Sequence, residues 1–250
     1  MAQTRSSHSA TLLQSGKVLI VGGLGGDGAS SAANLASAEL YDPCTNTWSP
    51  AGTLGQALGG VSAVLLHDGR VLVVGGSQND RSVAELYDPL TNLWSPTVAP
   101  PGPGKAIRLD NGRVLVIGHD VVDHTTALYD PTTGGWSPTS LEAHPRFGFE
   151  ATLLGNGKVL LSGGFSIAFY APAVLEAELY DPASATWSPA GVLSQMRNGD
   201  APVRLQSGRV LISGGYPQAP SSTPPASTEI YDPGTNAWSA GEHLLVARWI

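Results

Sequence analysis

SGKVLIVGG at residues 15–23, followed by AELYDPCTNTW at residues 38–48, decides the reading of the chain, because both phrases return four more times in altered form. Tyr-Asp-Pro begins at Tyr41, Tyr87, Tyr129, Tyr180 and Tyr231. A tryptophan stands seven residues after each tyrosine, at Trp48, Trp94, Trp136, Trp187 and Trp238. Upstream lie the apolar runs VLIVGG, VLVVGG, VLVIGH, VLLSGG and VLISGG, each preceded by a turn, SGK, DGR, NGR, NGK or SGR. Self-similarity at such a spacing marks a repeat architecture and is read before any single element.

Each unit reads as four strands, which in the first unit are expected near residues 8–13, 17–21, 38–41 and 47–50. A residue with a positive backbone φ closes a two-residue hairpin, and Ser15-Gly16 and Asn111-Gly112 supply it. Asp-Pro followed by Thr-Asn makes the second tight turn, with Asp bonding the backbone ahead of it. A four-stranded sheet that is apolar on both faces cannot bury itself, so the units are expected to stack radially, with Tyr and Trp between them.

The composition agrees. Gly (31) and Pro (19) are abundant, only 13% of residues are charged, and 42% are hydrophobic, which favours short strands joined by turns. No apolar stretch approaches the roughly 20 residues that span a bilayer, so no membrane partner is expected. Residues 1–10 carry one arginine and no apolar leader segment. With Cys44 as the single cysteine, an intrachain disulfide and a cysteine-based zinc cluster are excluded. These features point to the cytoplasm. A net charge of −7, with lysine only at positions 17, 105 and 158, argues against nucleic acid.

The double glycine, Tyr and Trp at fixed offsets, in five units, resemble the kelch repeat of β-propellers. The resemblance covers essentially the whole chain and departs from the family pattern at His119, which replaces the second glycine of the third unit. It implies an all-β propeller of five four-stranded antiparallel blades, at approximately 6–54, 55–100, 101–143, 144–193 and 194–242, within one domain spanning 1–250. Residues 243–250 then begin a sixth repeat or close the ring, since Arg248 repeats the linker arginines Arg5, Arg146 and Arg197, where the second and third units have Leu58 and Pro101. A closed monomer is expected, with an assembly of open arcs as the alternative.

Antiparallel connectivity puts the 4-to-1 linkers and 2-to-3 loops on one rim and the tight turns on the other. The 2-to-3 loops vary in length and chemistry, which is where a rigid scaffold usually carries binding. Phe165, Phe169, Tyr170 and Tyr216 lie there outside the repeat positions, as ligand anchors or as a hydrophobic lid. His119, Asp120, Asp123 and His124 could offer imidazoles and carboxylates to a metal, although the spacing matches no established signature and a solvated polar loop is the simpler reading. At the rim end of strand one stand His8, Lys105, Glu150 and Asp200, near Arg5, Arg146 and Arg197, as a mixed-charge mouth for a ligand or as ion pairs between blades. Arg108 and Arg204 replace leucine deeper in strand one and are expected to line the channel.

The first functional expectation is a module that holds a protein, peptide or carbohydrate on the linker rim, with no cofactor. The alternative is an enzyme at the channel mouth, a lyase, cyclase, isomerase or metal-dependent catalyst using Glu150, Asp200 or His8 as acid or base. The copper-oxidase chemistry that the family resemblance also implies would need a Tyr-Cys cofactor, and Cys44 falls in a turn on the opposite rim.

Overall fold

The structure, a computed structural model, describes residues 1–26, 33–76, 82–118, 125–166, 174–199, 201–215 and 225–247. Among them every regular element is a strand, and no helix is long and apolar enough to cross a membrane. The chain divides into two compact units, Met1–Pro138 and Thr139–Ile250.

The first unit holds three blades. Blade 1 is Ser9–Leu12, Val18–Val21, Ala33–Asp42 and Thr47–Leu58; blade 2 is Val61–Leu65, Val71–Gly75, Val83–Asp88 and Leu93–Pro96; blade 3 is Gly104–Arg108, Val114–Gly118, Thr126–Asp130 and Gly135–Pro138. The second unit holds blade 4, Glu150–Leu153, Val159–Ser162, Glu176–Asp181 and Thr186–Val192, and blade 5, Ala201–Arg204, Val210–Ser213, Thr228–Asp232 and Ala237–Ala240. In every blade the four strands pair antiparallel in chain order. The fold class is the all-β propeller with five four-stranded antiparallel blades.

Register repeats as faithfully as sequence does. The repeated tyrosine faces the first valine of strand two and the tryptophan of strand four, as in Val71↔Tyr87↔Trp94 and Val210↔Tyr231↔Trp238. In blade 1 the third and fourth strands run beyond the expected limits, to Ala33 and Leu58, with register shifts on either side of Ser37.

The VLVVG phrase is apolar throughout because each side chain has a core to enter. Val71 and Val73 join Leu13, Leu19 and Val21 of blade 1, while Leu72 and Val74 join Val114 and Val116 of blade 3. In the second unit, Val210, Ile212 and Tyr231 pack on Leu160 and Leu179 in the same way. Each such buried Leu, Val or Ile contributes about 1.5–3 kcal/mol by leaving water. Tryptophan adds direction: the indole N–H donates to the preceding segment, Trp94 to the Ala51 carbonyl at 2.6 Å and Trp238 to that of Ala190 at 2.7 Å.

The 3-to-4 turn also builds itself locally. Asp88 Oδ1 accepts from the Leu90 N–H at 2.8 Å, and Asn92, at φ 59, accepts from the Tyr87 hydroxyl at 2.8 Å. Asn46 and Asn236 do the same for Tyr41 and Tyr231, consistent with the tolerance of Asn for the left-handed region.

Candidate functional site

The linker rim is organised by arginine. Arg5, Arg146 and Arg197 each enter just before strand one and run beneath the third strand, where their side chains are fully enclosed. Arg5 donates to the carbonyls of Gly22 and Ser37, both at 2.9 Å, and to Glu39 at 2.9 Å. Arg146 repeats this with Gly163, Glu176 and Glu178, the last at 2.6 Å, and Arg197 with Gly214 and Glu229, both at 3.0 Å. These guanidinium groups face the protein interior.

The glutamates belong to the repeat, two residues before each Tyr, as Glu39, Glu85, Glu178 and Glu229, with Ala127 in blade 3. Each also accepts a backbone N–H from the linker: Ala2 to Glu39, Ala143 to Glu178, Ser194 to Glu229 and Gly55 to Glu85. A buried carboxylate needs both halves of this clamp to offset its lost hydration. The second glycine of the GG pair makes room: at Gly23 and Gly164 the φ is 94° and 96°, and a Cβ would stand 2.5 Å from Ser6 O and 2.8 Å from Phe147 O.

Blade 2 keeps only half of the clamp. Gly55 donates to Glu85 at 2.8 Å, but Leu58 stands where blades 1, 4 and 5 have arginine, its Cδ1 3.1 Å from where a Gly75 Cβ would be. Burial therefore pushes the Glu85 carboxyl above its ordinary range against the pull of the Gly55 and Gln56 N–H groups. At Glu39 burial acts in the same direction, but the Ala2 N–H and the Arg5 guanidinium outweigh it and hold the group below its ordinary range.

On top of the Arg146 clamp lies a two-stranded ribbon, Arg146–Phe147 against Phe165–Ser166. Its two phenylalanines face each other with ring centroids 5.4 Å apart at 31°, and Phe147 is 38% exposed. Blade 1 has the same ribbon, Arg5–Ser6 against Leu24–Gly25, with Ser6 and Leu24 in place of the rings. Beside Phe147, the Gly148 carbonyl accepts from the Gly199 N–H at 3.0 Å, bringing the linkers of blades 4 and 5 together.

Other expected site residues are dispersed. His8 is exposed just before strand one, Lys105 and Glu150 are half-buried in strand one opposite Ile117 and Ser162, and Phe165 is placed in the ribbon. Arg108 reaches sideways to the Leu65 carbonyl at 2.9 Å, and Arg204 to that of Leu153 at 3.5 Å. Asp200, Phe169, Tyr170, Tyr216, His119, Asp120, Asp123, His124 and Arg248 lie outside the described residues. Among the described residues no three His, Cys, Asp or Glu side chains gather as a metal site would require. Phe147 and the clamp glutamates were not singled out from sequence, although Glu-Leu-Tyr-Asp recurs in plain view and Phe147 adjoins a recurring arginine.

A family profile described as the Kelch motif matches residues 5–55 and 62–98. No curated protein matches the chain. Among solved structures, one described as a novel fungal alcohol oxidase with catalytic diversity among the AA5 family, in complex with copper, is similar over 97% of this chain and 54% of that one. The identity is 19% and the TM-score 0.77. This chain spans about half the length of that oxidase, and the likeness bears on the fold alone.

Proposed function

We propose that this chain, which matches the Kelch motif over residues 5–55 and 62–98, is a binding module whose linker and 2-to-3 rim holds a protein, peptide or carbohydrate. Kelch repeats serve as protein-interaction modules. The observation that carries the reading here is the Phe147–Phe165 pair: two rings in tilted contact, one of them 38% exposed. They stand on a ribbon whose arginine is anchored beneath them to Glu178 at 2.6 Å. A flat apolar surface held by rigid supports loses little entropy on binding, and aromatic anchors of this kind dominate the energetics of recognition.

In this reading Arg5, Arg146 and Arg197 act from behind the surface, fixing the linker, while Phe147 and Phe165 make contact. Lys105 and Glu150 supply polar groups from strand one of their own blades. The test is a screen of fluorescently labelled full-length chain against peptide and glycan arrays, repeated with Phe147→Ala. The expected result is a set of ligands whose affinity falls at least tenfold, about 1.4 kcal/mol, in the variant. Ligands held equally well by the variant, or no ligand from either array, would overturn the proposal.

A further inference from the structure

We infer that the opposite rim of the first unit carries a second docking surface, the cleft between the tight turns of blades 1 and 2. Its partner would be a protein segment that presents an aliphatic side chain beside a lysine or arginine. The cleft, of about 250 Å³, is lined by Leu13, Leu40 and the exposed Leu90 together with Lys17, Asp68 and Asp88.

Two independent departures from the repeat meet there. The first is apolar. In the 3-to-4 turns, the positions after Asp-Pro and before Trp are Cys44 and Thr47, Thr132 and Gly135, Ala183 and Thr186, and Gly234 and Ala237. Only blade 2 has leucine at both, Leu90 and Leu93, which stand 94% and 65% exposed. Turn chemistry does not ask for leucine, and large apolar side chains gathered on a polar rim mark contact surfaces.

The second departure is electrostatic. In blades 1, 3 and 4 the cation of the 1-to-2 turn reaches the aspartate of Tyr-Asp-Pro: Lys17 to Asp42 at 3.3 Å, Arg113 to Asp130 at 3.3 Å and Lys158 to Asp181 at 3.0 Å. Blade 2 alone has an aspartate directly before the glycine of the 1-to-2 turn, and Arg70 turns to it, with Nε 2.8 Å and Nη2 2.7 Å from Asp68 Oδ2. Arg70 then acts on Asp88 only at longer range, and among the described residues Asp88, like Asp232 of blade 5, has no ion pair of the kind that Asp42, Asp130 and Asp181 have. The equivalent cleft between blades 2 and 3 shows neither change: it is lined by His67, Asp68, Arg113, Asp130 and Thr132, with Asp130 paired. A cation from outside completes Asp88, and an aliphatic group beside it covers Leu90; this charge and shape requirement selects the partner.

The probe is a random heptapeptide array read with the labelled full chain and with Leu90→Ser, at an exposed side chain, and Asp88→Asn, at a half-buried one whose amide keeps an oxygen for the Leu90 N–H. Thermal midpoints unchanged from the parent establish folding. The expected result is that the parent retains peptides with Lys or Arg within three residues of Leu, Ile or Phe. Leu90→Ser should then weaken them at least tenfold, and Asp88→Asn should remove the preference for the cation together with its sensitivity to salt. Three results would each overturn the inference: peptides indifferent to Leu90, peptides without a basic residue, and a chain that dimerises through Leu90 in sedimentation equilibrium, which would make the occupant a second copy.

Discussion

Blades 1 and 2 carry the same third-strand phrase, AELYD, at residues 38–42 and 84–88, yet their glutamates end in opposite electrostatic states. Glu39 meets Arg5 at 2.9 Å and is held below its ordinary range; Glu85, in the blade whose linker has Leu58 at that position, is pushed above it by burial. Both accept a linker N–H, at 2.7 and 2.8 Å. The difference lies outside the strand, in a single linker residue. A buried carboxylate therefore takes its character from the segment that crosses it and not from its own strand.

The strongest way to break that comparison is to remove an arginine where the clamp is complete. Arg146→Leu should cost about 3–5 kcal/mol, because Glu178 is left buried without its guanidinium and with only the Ala143 and His144 N–H groups to balance it. Adding Glu178→Leu should recover most of the loss, since a buried ion pair replaced by apolar groups is often close to neutral. Urea midpoints followed by tryptophan fluorescence measure both. A single variant as stable as the parent would show that the clamp is incidental.

A sharper version exchanges the two blades. Folded Glu85 holds its proton more firmly than the unfolded chain does, so its contribution is fully present below the ordinary value of 4.5 and is lost as pH rises through the raised folded value. Glu39 has the opposite sign: its contribution is present above 4.5 and disappears as pH falls through the lowered folded value. Leu58→Arg should convert the first behaviour into the second, raising stability at neutral pH relative to acid by about 1.5–3 kcal/mol, the range for hydrogen bonds to charged groups. Glu85→Gln should instead flatten the profile. Urea midpoints from about pH 4 to about pH 8 read the slope, and an unchanged slope in both variants would separate Glu85 from it.

The smallest effect is expected at the surface. Lys17 and Asp42 form the same kind of pair at 3.3 Å, but their side chains are 42% and 23% exposed. Lys17→Ala should leave the urea midpoint almost unchanged, because water already solvates both charges. A loss comparable to that of Arg146→Leu would mean that burial does not separate the two classes of ion pair.

Much of the blade was legible before any coordinate. The hairpin glycines Gly16 and Gly112 take φ 81° and 85°, as their turns demand, and the tyrosine, tryptophan and valine of each blade fall into one register. The site was less legible. Arg5, Arg146 and Arg197 stood out as recurring charges, but a solvent-facing arginine and an enclosed one share the same letter. Phe147 gave a weaker signal, being one aromatic in a linker, until strand pairing set it against Phe165.

By itself the sequence determined the repeat, the strand order and the turn chemistry, because these depend on residues a few positions apart and on a period that any unit states alone. Only the tertiary structure decided which carboxylate each cation takes: Arg5 finds Glu39 across 34 residues, and Arg70 turns to Asp68 rather than to Asp88. Such choices rest on distance, desolvation and competing partners, and those exist only once the chain has folded.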